Sequence, residues 1–161
     1  MMDIPFIEQV KIQAQMLVPL VKTLWAELGQ EQANALIRKA LGEYFRKFGH
    51  EWSQQLGPST LGEKMDTAWK AFSSGDALDY EVLKKTPDAY DVNVTGCRYA
   101  KFYKELGAPE LGFLLVCGQD FPMTEGFGSG IQLTRTQTIM QGASHCDFRY
   151  LLKKEQEERQ K

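Results

Sequence analysis

The feature that most constrains this chain is a change of hydrophobic period near residue 76. Before it, apolar side chains recur at Phe6, Val10, Ala14, Leu17, Val21, Leu24 and Leu28, in the steps of three and four that mark one stripe of an α-helix. After it, Leu78, Tyr80 and Val82 alternate with Asp79 and Glu81, and Tyr90, Val92 and Val94 alternate with Asp91 and Asn93. Between these runs, Lys84-Lys85-Thr86-Pro87-Asp88 supplies turn chemistry, so the pair reads as an antiparallel hairpin with one wet face. Helices first and strands afterwards predict an α+β fold. At 161 residues one domain is expected, with 1–75 as helical scaffold, 76–152 as the sheet-containing half and 153–161 as a charged tail.

Within the scaffold, Pro19 interrupts the first stripe and predicts a kink, or two short helices meeting near Val18. Gly29 closes that element, and residues 30–48 carry a second apolar face through Leu36, Ile37, Leu41, Phe45 and Phe48. After the Gly57-Pro58-Ser59 loop, Thr60-Leu61-Gly62-Glu63 has the spacing of a capping box and starts a third helix. Its stripe, Leu61, Met65, Ala68, Trp69 and Phe72, reads as core, and Ser73-Ser74-Gly75-Asp76 ends it. Beyond the hairpin, Cys97 leads into a short helix closed by Gly107, and Ala108-Pro109-Glu110 opens another running to about Gly118. Residues 119–130, with Pro122 and four closely spaced glycines and serines from Gly126 to Gly130, read as a loop or lid. Residues 131–140 and 146–152 then form a second strand pair. The result is an antiparallel sheet of about four strands interrupted by two short helices.

A formal charge of -2 leaves no basic footprint for nucleic acid. No apolar run approaches the roughly 20 residues of a membrane span, and the first residues lack the layout of a signal peptide, so no membrane partner and a cytoplasmic location are expected. Three cysteines, Cys97, Cys117 and Cys146, cannot all pair with one another, which suits a reducing compartment. Self-association into a homo-oligomer stays open.

Chemistry concentrates in Ile131–Tyr150. Strand parity puts Arg135 and Gln137 on the same apolar face as Ile131, Leu133 and Ile139, with Gln132, Thr134, Thr136 and Thr138 opposite. A guanidinium on an apolar face is costly unless a carboxylate meets it, from the protein or from a ligand. Cys97 falls in the first turn of a helix, where amide dipoles ease formation of a thiolate. Cys146 lies between His145 and Asp147. His50, after Gly49, reads as a cap or surface residue at a helix junction.

These pieces, taken in order, resemble the L-2-amino-thiazoline-4-carboxylic acid hydrolase family. The resemblance rests on Gly96-Cys97-x-Tyr99-Ala100 followed by Leu106-Gly107, on Cys117-x-x-Asp120, and on Leu133-x-Arg135-x-x-Thr138 continuing through Gly142 to Cys146-Asp147-Phe148. It implies hydrolytic opening of a cyclic isothiourea or amidine-type acid to an N-carbamoyl cysteine. Cys97, Cys146, Asp120 and Asp147 are then the candidate catalytic groups, and Arg135, Gln137 and, in reserve, Arg98 the candidate contacts to a small-molecule carboxylate substrate. No cofactor is expected. The alternative is a thiolate zinc site on Cys97, Cys117, Cys146 and His145, although no close Cys-x-x-Cys spacing announces one. A second function class stays open beside the hydrolase: a non-catalytic domain that binds a small ligand in the same pocket.

Overall fold

A computed structural model describes residues 4–154. Helices α1 (Phe6–Leu28) and α2 (Gln30–Leu56) form a long hairpin, and α3 (Leu61–Phe72) follows. Strands β1 (Leu78–Lys85) and β2 (Ala89–Cys97) come next, then α4 (Arg98–Glu105), α5 (Pro109–Leu115), α6 (Asp120–Phe127), β3 (Ile131–Thr134) and β4 (Cys146–Leu152). The four strands form one sheet in the order β1-β2-β4-β3, and every neighbouring pair is antiparallel. The α+β expectation therefore holds.

Local chemistry explains most boundaries. The turn between α1 and α2 is a single residue, Gly29, whose φ of 78° lies in the left-handed region that side chains disfavour. The Thr60 side chain accepts the Glu63 amide while Glu63 reaches back to the Thr60 amide, so the capping box forms as expected. α1 runs unbroken through Pro19, so the two-helix alternative is not what the chain adopts.

Three boundaries depart from expectation. α2 continues past Phe48 to Leu56, because Gly49 serves close packing instead of ending the helix: a Cβ there would collide with the Met123 carbonyl. Residues 120–127 form α6 and not a loop, and a Cβ on Gly126 would in turn strike the Arg46 carbonyl of α2. Pro122 is tolerated because it sits in the first turn, where amides have no intrahelical acceptor. Finally, β3 stops at Thr134 and not near Met140, since the Asp147 carboxylate accepts the amides of Thr136 (2.8 Å) and Gln137 (3.0 Å) in place of a ladder partner. Thr138 consequently turns inward, is 2% exposed and caps a 3-10 turn at Ile139–Gln141. Most of the charged tail, 155–161, lies outside the described residues.

The core divides in two. One cluster joins α1, α4 and α5 through residues such as Ile7, Val21, Tyr103 and Leu111, and the other joins α3 to the sheet through Trp69, Val92, Phe148 and Tyr150. Leu78, Cys97 and Ile139 touch both clusters. Among the described residues no helix is long and apolar enough to cross a membrane.

Candidate functional site

A cavity of about 180 Å³ lies between the helical hairpin and the sheet. α1 and α2 cover it with Phe6, Gln9, Val10, Gln13, Leu17, Tyr44, Phe45 and Phe48, and its lining reaches the surface beside the exposed Gln13 and Tyr44. The opposite side is built by Trp69 of α3, Val94 of β2, Phe148 and Tyr150 of β4, and the segment after β3. Cys97, Cys117, Cys146, Asp120 and Arg135, scattered over 50 residues of sequence, all line this one space.

Among the described residues, Arg135 and Asp120 are the only charged ones on the lining. The guanidinium, its side chain 3% exposed, donates to Asp120 Oδ2 at 2.5 Å and to the Cys117 carbonyl at 3.1 Å. Its Cζ also lies 5.1 Å from the ring centre of Phe121, 5.2 Å from Phe148 and 5.9 Å from Phe113, which suits a planar cation and would not suit an ammonium. The carboxylate that meets Arg135 is therefore the protein's own. Burial pushes the Asp120 carboxyl up to about 6 in spite of the Arg135 charge and hydrogen bond. Asp120 nonetheless keeps 26% of its side-chain surface accessible, which fits a carboxylate that opens onto an enclosed space and not onto bulk water.

The thiols are held as acceptors. Cys97 is the N-cap of α4, and its Sγ accepts the Ala100 amide at 3.4 Å; Cys146 Sγ accepts the Ile139 amide at 3.2 Å. Burial nevertheless pushes Cys97 up to about 11, outweighing the helix amides, and raises Cys146 and Cys117 as well. The expectation of an eased thiolate at Cys97 is thus reversed: a helix N-terminus favours the anion less than an apolar wall opposes it.

Four residues that the sequence nominates do not line the cavity. Asp147 is spent on the turn after β3; burial opposes its ionisation, but the Thr136 hydroxyl and the Gln137, Thr136 and Asp147 amides outweigh it and lower its pKa. Gln137 donates to the His145 carbonyl at 3.0 Å, because the chain leaves strand geometry before it. His145 sits beside Ser144, and Arg98 points outward to Asp79 at 3.7 Å with nearly half its side chain exposed. His50, the junction residue, contacts Gln54 along the exposed side of α2. Among the described residues no three His, Cys, Asp or Glu side chains gather as metal ligands, so the zinc alternative on Cys97, Cys117, Cys146 and His145 finds no coordinating set.

In the sequence, Trp69 reads only as a core residue of the α3 stripe. Its residue is 4% exposed, and its indole Nε1 is buried with no hydrogen-bond partner. The Tyr150 hydroxyl is near enough for the indole to influence its titration, although the geometry does not reach that of a hydrogen bond. A tryptophan on a helix stripe gives no signal of this in sequence, because the missing acceptor is a property of the assembled wall.

The model of the L-2-amino-thiazoline-4-carboxylic acid hydrolase family matches residues 9–150. Comparison with curated proteins finds no match. Among solved structures, the "crystal structure of the phenol-responsive sensory domain of the transcription activator PoxR with Phenol" aligns with a TM-score of 0.51 and 12% identity, over 84% of this chain and 72% of that one. At that identity the likeness shows the fold alone.

Proposed function

Since the chain belongs to the L-2-amino-thiazoline-4-carboxylic acid hydrolase family, we propose for it the function its cavity supports best: reception of a small, uncharged, single-ring compound. One observation carries this reading. Among the described residues the only cation on the lining is already paired with Asp120, so a ligand carboxylate would have to displace that carboxylate from a buried pair. Size agrees, since a cavity of about 150 Å³ lined by hydrocarbon holds a benzene ring, whereas drug-sized ligands need roughly 300 Å³ or more. The related fold of a phenol-responsive sensory domain supports the same ligand size, by analogy of architecture only.

The test compares toluene with benzoate, which share a shape and differ in charge. Calorimetry or ligand-observed NMR should find toluene bound and benzoate excluded. Benzoate binding as tightly as toluene would overturn the reading.

A second reading, hydrolysis of a cyclic isothiourea or amidine-type acid, is favoured by the Asp120 carboxyl. With a pKa of about 6 in the same cavity as Cys97 and Cys146, it suits a general base that draws a proton from water. The water oxygen would add to the ring carbon, the carbon–sulfur bond would break, and the proton would pass to the departing sulfur. The raised thiols argue against a cysteine nucleophile in that sequence. Incubating the protein with L-2-amino-thiazoline-4-carboxylate and looking by mass spectrometry for the addition of one water tests it; unchanged substrate leaves the binding reading alone.

A further inference from the structure

We propose that the ring received by this cavity carries a hydrogen-bond donor at its edge, a ring N–H or a hydroxyl, and that the free carboxylate oxygen of Asp120 is the acceptor that fixes its orientation. The inference rests on the reading of the cavity as a single-ring site and adds the polar chemistry of the ligand. It starts from an asymmetry in the buried ion pair. Arg135 bonds one carboxylate oxygen, Oδ2, while the other, Oδ1, accepts from no group among the described residues. An ionised carboxylate offers roughly four lone-pair positions, so this pairing leaves accepting capacity unused.

That oxygen can be reached. Among the described residues Trp69 Nε1 is the only buried polar side-chain atom left without a partner, so the unpartnered Oδ1 has accessible surface of its own. Asp120 lines the cavity with 26% of its side chain accessible, and burial pushes its carboxyl up to about 6, which a carboxylate facing bulk water would not show. The accessible surface therefore belongs to the cavity. None of the lining donors bonds to it. The Tyr99 hydroxyl donates to the Phe72 carbonyl at 2.9 Å, the Gln119 amide to the Leu114 carbonyl at 2.9 Å, and the Thr138 hydroxyl to Gln141 Oε1 at 3.1 Å. The Tyr150 hydroxyl feels the Asp120 charge without bonding to it, and the cavity thiols are weak donors.

The site thus presents one unused acceptor in largely apolar surroundings. A ring N–H or hydroxyl meets it with a charge-assisted bond, whereas a hydrocarbon ring leaves it unmet and a ring that only accepts sets lone pair against lone pair. Within the available volume this chemistry selects small uncharged azoles and hydroxyl-bearing rings. An oxygen engaged by a ring donor is not free to draw a proton from water, so the anchor belongs with reception of a ring and not with hydrolysis.

Benzene, pyrrole and pyridine, rings of nearly one size, separate the alternatives at mildly alkaline pH, where Asp120 is ionised and pyridine uncharged. The intact chain should bind pyrrole about tenfold more tightly than benzene, and pyridine no better than benzene. By NMR, the N–H proton of bound pyrrole should move downfield relative to its ring C–H protons. In Asp120→Asn the carbonyl oxygen stays with Arg135 and the amide NH2 takes the place of Oδ1, so the order should reverse, with pyridine above pyrrole and benzene within about twofold of its former affinity. Should that variant fail to fold, the pyrrole N–H shift in the intact chain still decides. Equal binding of pyrrole and benzene without that shift, or an unchanged order in Asp120→Asn, would overturn the anchor and leave the cavity reading standing. Failure of all three rings to bind would remove the cavity reading itself and the anchor with it.

Discussion

The two walls of the cavity are built on different terms. The sheet wall is close-packed, with Val92 at 0% exposure, and it brings together Trp69, Cys97, Arg135, Cys146 and Tyr150, joined at the edge by Cys117 and Asp120. The helical wall contributes hydrocarbon, aromatic rings and the amides of Gln9 and Gln13. Its outer surface leaves Ile12, Met16, Leu20 and Leu36 exposed, Met16 at 79%. The contrast teaches that one wall specifies and the other covers. A specifying wall has to hold its groups within fractions of an ångström, which needs packing on both sides, whereas a cover needs only to exclude water.

The contrast is broken most severely at Arg135. Replacing Arg135 by Met leaves the Asp120 carboxylate buried without its cation, and urea denaturation should show a loss of about 3 to 5 kcal/mol. Adding Asp120→Asn should recover much of it, since the pair is then absent from both sides. A loss below about 1 kcal/mol in the single variant would mean the sheet wall does not depend on the pair.

A matched comparison of the walls sharpens the point at lower cost. Val92→Ala on the sheet side should lose about 1.5 to 3 kcal/mol, and Met16→Ala on the helical side should stay within about 0.5 kcal/mol. Equal losses would erase the distinction between floor and cover.

The smallest effect is a dependence on pH, muted because the carboxylates of the sheet side oppose one another. Asp120 has a raised pKa in the fold, so the stability it contributes is fully present below its unfolded value of 3.8 and is lost as pH rises through about 6. Asp66, held down first by hydrogen bonds from Lys70 and Lys85, and Asp147 behave oppositely: their contributions are present above 3.8 and fall away as pH drops. Relative to the intact chain, Asp120→Asn should therefore gain stability as pH rises from about 4 to about 6, read as the difference between their melting temperatures. A difference moving the other way would show that Arg135, and not burial, dominates Asp120.

The same division governs what the sequence makes legible. The hairpin at Leu78–Val94 and the capping box at Thr60 are local signals, decided by neighbours two or three residues away, and the fold forms them as expected. The convergence of Cys97, Asp120 and Cys146 at the ends of elements was also open to inference. What stayed hidden depends on contacts across the chain. Gly49 and Gly126 carry the signature of breakers, yet each sits inside a helix because another backbone needs its side-chain space. Arg135 announced the need for a carboxylate but not which one, and strand parity failed after Thr134 because a side chain, Asp147, took over the work of a neighbouring strand. The orphaned indole could not be read at all, since an absence of partners belongs only to the folded wall.

The contacts at Gly49 and Gly126 also set a clock. They bring α2 and α6 together backbone against backbone, so the two helices have no side-chain layer that can shear and must travel as one block with Asp120 attached. α1 is tied differently, through side chains such as Ile7, Ala14 and Val21, and joins α2 through the lone Gly29. On the proposed reading, a ring held inside would leave past the surface opening beside Gln13 and Tyr44, widened by motion of α1 relative to that block on the timescale of collective helix motions, roughly microseconds to milliseconds, without waiting for the chain to unfold. Residence time and thermal stability are thereby separable along one helix: substitution of the exposed Gln13 should alter how long a guest stays while hardly changing the temperature at which its host melts, whereas substitution of the buried Ile7 or Val21 should change both.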